Sequence, residues 1–185
     1  MEVLLNDDPF CPENTAVGNR ADRYHTGANC VQGHRRDALA PMSQASERVK
    51  AFFATYESNI GGADPATIAA QYGESFIFAG PQGTQAVKRD DFVKVLPKRQ
   101  AFFASLGLRS SSVVSLEEAS VDDRCVLVRT QWKIAFESPA GAAVDVSSTY
   151  LLQQHPDGLR IVFQLDHDDL TKRVQQLGLA PAANR

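Results

Sequence analysis

The sequence predicts an α+β domain built on an antiparallel sheet. Three alternating runs in the last third of the chain carry this prediction, at residues 125–136, 144–154 and 159–166. Alternation of this length is typical of half-buried strands, and the short turn segments at 138–141 and 155–158 predict antiparallel neighbours. Helical patterns dominate the residues before these strands, so we expect helices to cover one concave face of the sheet.

Length and composition favour one ordinary globular domain. The chain has 185 residues, of which 43% are hydrophobic and 22% charged, as in soluble domains generally. A net charge of −3 gives no electrostatic reason to expect nucleic acid or an anionic membrane as partner. No apolar run approaches the roughly 20 residues of a membrane-spanning helix, and no secretory signal is visible. With Cys125 expected as a buried, reduced thiol, a cytoplasmic location is the simplest interpretation.

The first 41 residues differ from the rest of the chain. They are rich in polar residues, glycine and proline and lack apolar periodicity, so we expect residues 1–41 to form a disordered leader. A helical pattern begins directly afterwards, and Met42 could be the true start of the protein. Four leader residues raise the question of zinc: Cys11, His25, Cys30 and His34. Because there is no close cysteine pair, we expect no metal and no cofactor.

Two helices are predicted first. Residues 44–60 carry apolar side chains at helical spacing, namely Ala45, Val49, Phe52, Phe53, Tyr56 and Ile60. Gly61 and Gly62 end this helix. Asp64 and Pro65 then predict a short second helix, with aspartate as N-cap and proline at the first helical position. This helix should direct Ile68, Ala69 and Tyr72 inward.

A short strand at residues 75–79 and a turn at 80–83 follow. Residues 88–106 are helical by pattern, but Pro97 should kink or split that helix because its ring removes a backbone donor. Residues 108–116 then form a strand that leads into the three long strands.

The chain should end with one short helix. Asp168 and Asp169 suit a helix start, because carboxylates are favourable at that end. We expect the folded domain to span residues 42–178 and residues 179–185 to form a C-terminal tail.

This order of elements, with several aromatic positions, resembles the nuclear-transport-factor-2-like superfamily, which includes the SnoaL-like domains. The resemblance covers about residues 44–178 and is carried by Tyr56, Asp64, Tyr72, residues 76–80, Trp132, Tyr150 and residues 161–166. It implies a cone, in which a curved antiparallel sheet wraps around the long N-terminal helix and an apolar pocket opens at the wide end. The superfamily includes isomerases, cyclases and dehydratases as well as proteins without known reaction, so the fold alone does not assign an activity.

Ketosteroid isomerases of this superfamily allow a comparison of positions. The resemblance places their oxyanion-hole tyrosine at Tyr56, their general base at Gly80 and their second acid near Ser148. Proton transfer between carbons needs a base at the reacting carbon, and glycine has none. We therefore do not expect isomerisation by the same mechanism.

The inward face of the strands supplies the candidate ligand-binding residues. Even-numbered residues of the 125–136 run are mostly apolar, whereas Arg129, Gln131 and Lys133 occupy the odd face, so the even face should point inward. Trp132 could stack on a ligand or simply fill the core. The predicted ligand-binding set is Tyr56, Tyr72, Phe78, Val128, Trp132, Tyr150 and Gln164.

A polar cluster at residues 164–169 supplies the catalytic candidates. Alternation places Gln164 and Asp166 on one face and His167 on the other. A histidine beside carboxylates could act as a general base, so the candidates are Asp166, His167 and Tyr56. In the alternative interpretation, Asp168 and Asp169 cap the final helix and His167 is a solvated strand-end residue.

We expect a small-molecule-binding SnoaL-like domain with an apolar ligand in the cone. The first alternative is a cyclase, dehydratase or isomerase that uses Asp166 or His167 with Tyr56. The second alternative is a protein-interaction module. The superfamily often pairs subunits through the outer sheet face, where Arg129 and Lys133 lie, which implies a homodimer. No nucleic-acid or membrane partner is expected.

Overall fold

The computed structural model describes residues 40–137 and 141–178. In chain order the elements are β1 (Ser43–Gln44), α1 (Glu47–Ile60), α2 (Pro65–Ala69), β2 (Tyr72–Gly80), β3 (Gly83–Lys88), α3 (Arg89–Ser105), β4 (Leu108–Ser120), β5 (Cys125–Phe136), β6 (Ala143–His155), β7 (Gly158–Asp166) and α4 (Leu170–Gln176). Among these described helices, none has the length and apolar character to cross a bilayer. The predicted tail and most of the predicted leader, with its four Cys and His residues, lie outside the described residues.

The strands form one mixed sheet in the order β1-β4-β5-β6-β7-β2-β3. The expectation of a wholly antiparallel sheet is wrong for one pair, because β2 and β7 are parallel. Turn signals report only pairs that are adjacent in the chain, and this pair is separated by β3, α3 and three strands. Register shifts in the β2–β7, β4–β5 and β6–β7 pairs bend the strands.

The start of α2 follows the predicted capping chemistry. The Asp64 carboxylate accepts hydrogen bonds from the backbone N–H groups of Ala66 and Thr67, at 2.9 and 3.1 Å. However, α2 ends at Ala69, and the prediction that Tyr72 belongs to this helix is wrong. Tyr72 is the first residue of β2, where its side chain is still almost completely buried.

Two further elements differ from the prediction. Pro97 does not split α3, which runs as one helix through it. Pro97 is exposed, so water can hydrate the backbone carbonyl that the missing N–H leaves free. The sequence analysis also missed β3, because five of its six residues are exposed and the strand shows no alternation of apolar and polar residues.

The inner face of the sheet is organised in rows that run across β5, β6 and β7. The alternation predicted for β5 is confirmed, since its even-numbered residues are all buried. The register places inward-facing residues of the three strands side by side. The rows are Val126–Leu152–Ile161, Val128–Tyr150–Gln164 and Thr130–Ser148–Asp166.

The character of the rows changes along the strands. The first row is aliphatic, and its members are 0–2% exposed and belong to the same core cluster as Val49 and Phe53 of α1. The third row is polar, and its threonine hydroxyl donates to the backbone carbonyl of Ser148 at 3.2 Å. The same face of the sheet is therefore a dense apolar core at one end and a polar surface at the other.

Candidate functional site

A cavity of about 600 Å³ lies at the polar end of these rows. Residues of α1, α2 and α3 form one side of it, and residues of β5, β6 and β7 form the other. It is lined by six residues that the sequence analysis singled out, which are Tyr56, Tyr72, Trp132, Tyr150, Gln164 and Asp166. A volume of this size is typical of sites for small organic ligands.

A continuous chain of hydrogen bonds runs along the cavity wall. The hydroxyls of Tyr56 and Tyr72 are 2.7 Å apart, and Tyr72 donates to Oε1 of Gln164 at 2.8 Å. Nε2 of Gln164 donates to Oδ1 of Asp166 at 2.9 Å, and Oγ of Ser148 donates to the same oxygen at 2.8 Å. Two tyrosines, an amide and a carboxylate thus form one connected unit.

The carboxylate sets the direction of every bond in this chain. Gln164 turns its NH₂ group towards the Asp166 carboxylate, so its carbonyl oxygen faces Tyr72. Tyr72 has one proton, which it donates to Gln164, and Tyr56 must therefore donate to Tyr72. Tyr56 consequently presents only its oxygen lone pairs to a ligand as long as this chain is intact.

Aromatic rings surround the phenol oxygens. The ring of Tyr56 meets the rings of Tyr72, Trp132 and Tyr150 edge to face, with centroids 6.0–6.2 Å apart. Burial raises the pKa of Tyr72 and Tyr150 well above the ordinary value, and it raises the pKa of Tyr56 as well. All three phenols are therefore neutral at physiological pH.

Trp132 keeps one polar atom without a partner. Its side chain is 5% exposed, and no described residue accepts a hydrogen bond from Nε1. Because this nitrogen is itself inaccessible to water, an acceptor could reach it only after the surrounding rings move. The indole ring rather than its N–H is the surface that Trp132 offers to the cavity.

Arg99 is a charged cavity residue that the sequence analysis missed. It lies on α3 and its guanidinium carbon is 5.7 Å from the centre of the Phe103 ring, which also lines the cavity. The sequence did contain a signal for this position. Helical spacing places Arg99 on the same face of α3 as the apolar residues Phe92, Leu96 and Phe103. An arginine among apolar positions was overlooked because arginine on a helix is usually solvated.

The pKa of Arg99 depends on the polar side chains that line the cavity with it. Desolvation lowers the pKa of Arg99, but the oxygens of Tyr56, Tyr72 and Asp166 outweigh this effect, so the pKa lies above its ordinary value. Arg99 nevertheless has a large accessible surface, because the cavity is open on one side. The cation thus faces both the cavity and solvent.

Three residues of the predicted site lie elsewhere. Val128 is completely buried in the dense core, and Phe78 packs partly buried against that core, so neither lines the cavity. His167 is exposed, and its Nε2 is 2.8 Å from Oγ1 of Thr149, outside the cavity lining. This placement follows the strand alternation, which directs Asp166 inward and its neighbour outward.

The aspartates after β7 have structural partners. Oδ1 of Asp169 accepts from the backbone N–H of Lys172 at 3.0 Å and so caps α4. Asp168 accepts from the backbone N–H of Ser147 and from Arg173, at 2.9 and 2.8 Å. Within residues 40–137 and 141–178, no three His, Cys, Asp or Glu side chains form a group that could hold a metal ion.

One family model matches most of the chain. The family model described as NTF2-like protein (DUF6841) matches residues 43–169. No curated protein matches the chain.

Solved structures are similar in fold at low sequence identity. An NTF-2 like protein of unknown function from Shewanella oneidensis MR-1 is 14% identical, with a TM-score of 0.52 over 65% of this chain and 97% of that one. A domain of unknown function with a cystatin-like fold from Nostoc punctiforme is 18% identical, with a TM-score of 0.50 over 70% and 80%. A candidate dehydratase of the NTF2-like family from Streptomyces avermitilis is 12% identical, with a TM-score of 0.53 over 66% and 94%. At these identities the likeness concerns the fold alone.

Proposed function

We propose, because the chain belongs to the NTF2-like protein family, that it binds a small and mainly apolar molecule in its cavity. In this proposal the sheet forms a cone around α1, and the cavity is the ligand pocket at its wide end. The observation that carries the proposal is the cavity of about 600 Å³ with aromatic rings on its wall.

The composition of the wall supports a ligand with few polar groups. Trp132, Phe103, Ile134 and Leu96 offer apolar surface, and the polar side chains include Gln164, Asp166 and Arg99. Such a site binds through apolar burial, and the few polar groups orient the ligand. Three neutral tyrosines and one amide would discriminate between ligands by the position of their oxygen atoms.

Trp132, the only tryptophan of the chain, allows a direct test. Titration with an uncharged ring compound, 4-phenyl-2-butanone, should change its emission in a saturable way. Ser148→Leu should abolish this change, because the larger side chain occupies the cavity. Ser115→Leu makes the same substitution at an exposed position of β4 and should leave binding intact. An indole emission typical of water, with free quenching by iodide, would contradict the placement of Trp132 in the cavity wall.

A second candidate function is catalysis by Asp166 in the same cavity. The observation that favours it is the position of this carboxylate at the end of the tyrosine and glutamine chain. A cyclase, dehydratase or isomerase reaction needs one group that takes a proton and one that stabilises an oxygen. Asp166 could take the proton, and Tyr56 could donate to the oxygen only by releasing its bond to Tyr72. In this second proposal His167 has no catalytic part, because its ring lies outside the cavity.

The pair Asp166 and His167 provides a matched test of catalysis. Once turnover of a substrate is detected, Asp166→Asn should reduce kcat by roughly 10²- to 10⁴-fold. His167→Gln, one residue further along the chain and outside the cavity, should leave kcat unchanged. Equal activity of both variants would rule out this mechanism and leave the binding function.

We also propose a homodimer through the outer sheet face, as an interaction module would require. Arg129 and Lys133 are exposed there, and their cross-strand neighbours include Glu117 and Asp145. A face with both signs of charge can be complementary to a second copy of itself. Sedimentation equilibrium should give a dimer that Arg129→Glu weakens, whereas a monomer at all concentrations would exclude this assembly.

A further inference from the structure

Charged residues are rare on the cavity wall, and most of them have partners. Among the described residues four charged side chains line the cavity, namely Asp64, Arg99, Asp166 and Asp168. Each aspartate accepts hydrogen bonds from nearby protein donors. Asp64 caps α2, Asp166 accepts from Ser148 and Gln164, and Asp168 accepts from Ser147 and Arg173.

Arg99 differs from the three carboxylates. It forms no ion pair and no hydrogen bond with any residue of the described part of the chain, and its guanidinium lies over the face of the Phe103 ring. The guanidinium has five N–H donors in a planar fork that matches a carboxylate. The contact with the ring face leaves these donors free.

We propose that the ligand of this cavity is an amphipathic monocarboxylate whose carboxylate is bound by Arg99. This inference rests on the binding function proposed above and specifies its chemical class. The apolar body of the ligand lies against Trp132 and the aliphatic residues beside it, and the carboxylate lies at α3. A neutral oxygen elsewhere on the ligand could meet the tyrosines near Asp166.

A single negative charge fits this wall better than a double one. Arg99 offers one cation without a partner, and the three carboxylates on the same wall repel a doubly charged phosphate more strongly than a monocarboxylate. A ligand cation at Asp166 is the competing alternative, because both hydrogen bonds to this carboxylate end on Oδ1 and leave Oδ2 without a donor among the described residues. The amine probe described below tests that alternative.

Three probes with the same apolar body test the proposal. They are 4-phenylbutyrate, 4-phenylbutyramide and 4-phenylbutylamine, each titrated against the full chain with Trp132 emission and calorimetry as readouts. We expect the carboxylate to bind about 10- to 100-fold more tightly than the amide, as for hydrogen bonds to charged groups. The amine should bind most weakly.

Variants on α3 assign the difference to one residue. Arg99→Met should remove the preference for the carboxylate. It should leave amide binding within about 3-fold of the original, because methionine keeps an apolar stem of similar length. Arg99→Lys keeps the charge and should retain part of the preference. Lys98→Met removes the same charge from an exposed neighbour outside the cavity lining and should change nothing. Circular dichroism establishes that each variant is folded.

The outcomes separate this inference from the binding function. Equal binding of all three probes, or a preference that survives in Arg99→Met, overturns the monocarboxylate proposal and leaves the apolar pocket in place. Tighter binding of the amine also overturns it and assigns the polar contact to Asp166. Failure of all three probes to bind, together with failure of 4-phenyl-2-butanone, overturns the binding function itself.

Discussion

The two ends of the sheet's inner face are built from the same strands, but one end is densely packed and the other encloses a cavity. The closed end, defined by Val49, Val126, Leu152 and Ile161, contains only aliphatic side chains of 0–2% exposure. The cavity end, defined by Tyr56, Trp132, Tyr150, Gln164 and Asp166, encloses about 600 Å³ of space. Both ends lie between α1 and the same three strands.

The difference shows how a fold can keep an open site within a packed interior. Aliphatic side chains have no directional requirement and close upon one another. The polar wall keeps its geometry through the bonds from Tyr56 to Asp166, each of which fixes two side chains at a defined separation. We therefore expect the closed end to contribute more to stability than the cavity end does.

The largest expected effect on the free energy of unfolding comes from replacing an isoleucine by alanine, which can be done at each end. Ile161→Ala at the closed end should lower the free energy of unfolding by about 3–4 kcal/mol, because it leaves a void in dense packing. Ile134→Ala, on another interior strand but at the cavity wall, should cost about 2 kcal/mol, since the new space joins an existing cavity. Urea unfolding measures both values. A greater loss for Ile134→Ala would contradict the division into two ends.

Alkaline pH should destabilise the fold through tyrosines of the cavity end. The pKa of Tyr72 and Tyr150 is raised in the folded state, so above about pH 10 the unfolded state binds fewer protons and stability falls with pH. Each such tyrosine contributes up to about 1.4 kcal/mol per pH unit. Tyr150→Phe should make the slope of stability against pH shallower. Phe53→Leu should lower stability equally at every pH. If Phe53→Leu changed the slope of stability against pH as much as Tyr150→Phe does, the alkaline loss would not come from the buried tyrosines.

Removal of single hydroxyls should sharpen the role of the hydrogen-bond chain. Tyr72→Phe removes two bonds and should cost about 2 kcal/mol, whereas Tyr56→Phe removes one and should cost about 1 kcal/mol. Thermal unfolding followed by circular dichroism compares the two variants. If Tyr56→Phe were the more costly change, Tyr56 would have further partners and the direction of the chain would be different.

The smallest effect is expected at the rim of the cavity end. Burial raises the pKa of Asp168, but the bonds from Ser147 and Arg173 outweigh burial and leave its pKa lowered. A lowered pKa stabilises the fold above the unfolded-state value, and this contribution is lost as pH falls below about 4. Asp168→Asn should cost about 0.5–1 kcal/mol at neutral pH and reduce the acid-induced loss. Asp123→Asn, at an exposed bend where the carboxylate has no hydrogen bond or ion pair with the described residues, is the control.

Local signals in the sequence accounted for much of the fold. The alternation of β5, the cap at Asp64 and the inward direction of Gln164 and Asp166 all depend on neighbours in the chain, and the structure confirms each of them. The parallel pairing of β2 with β7 and the existence of β3 could not be predicted this way. The first depends on contacts between distant segments, and the second on backbone pairing without a buried face.

The candidate site was predicted only in part for similar reasons. Ser148 and Thr130 are short polar residues at inward positions of two strands, and only the register brings them into one row with Asp166. Arg99 was overlooked because a charged residue on a helix is usually in solvent. Phe78 and Val128 were included because inward direction alone does not distinguish a packed position from a cavity wall.

The parallel β2–β7 pair has a consequence for how the protein folds. Tyr72 and Gln164 are separated by 92 positions in the chain, yet their side chains are bonded. Antiparallel neighbours such as β5 and β6 can pair as local hairpins, whereas β2 must wait for a partner that is synthesised much later. Contacts of such long range slow folding and form late. On the ribosome, the wall that contains Tyr56, Tyr72 and Gln164 can assemble only after β7 has emerged.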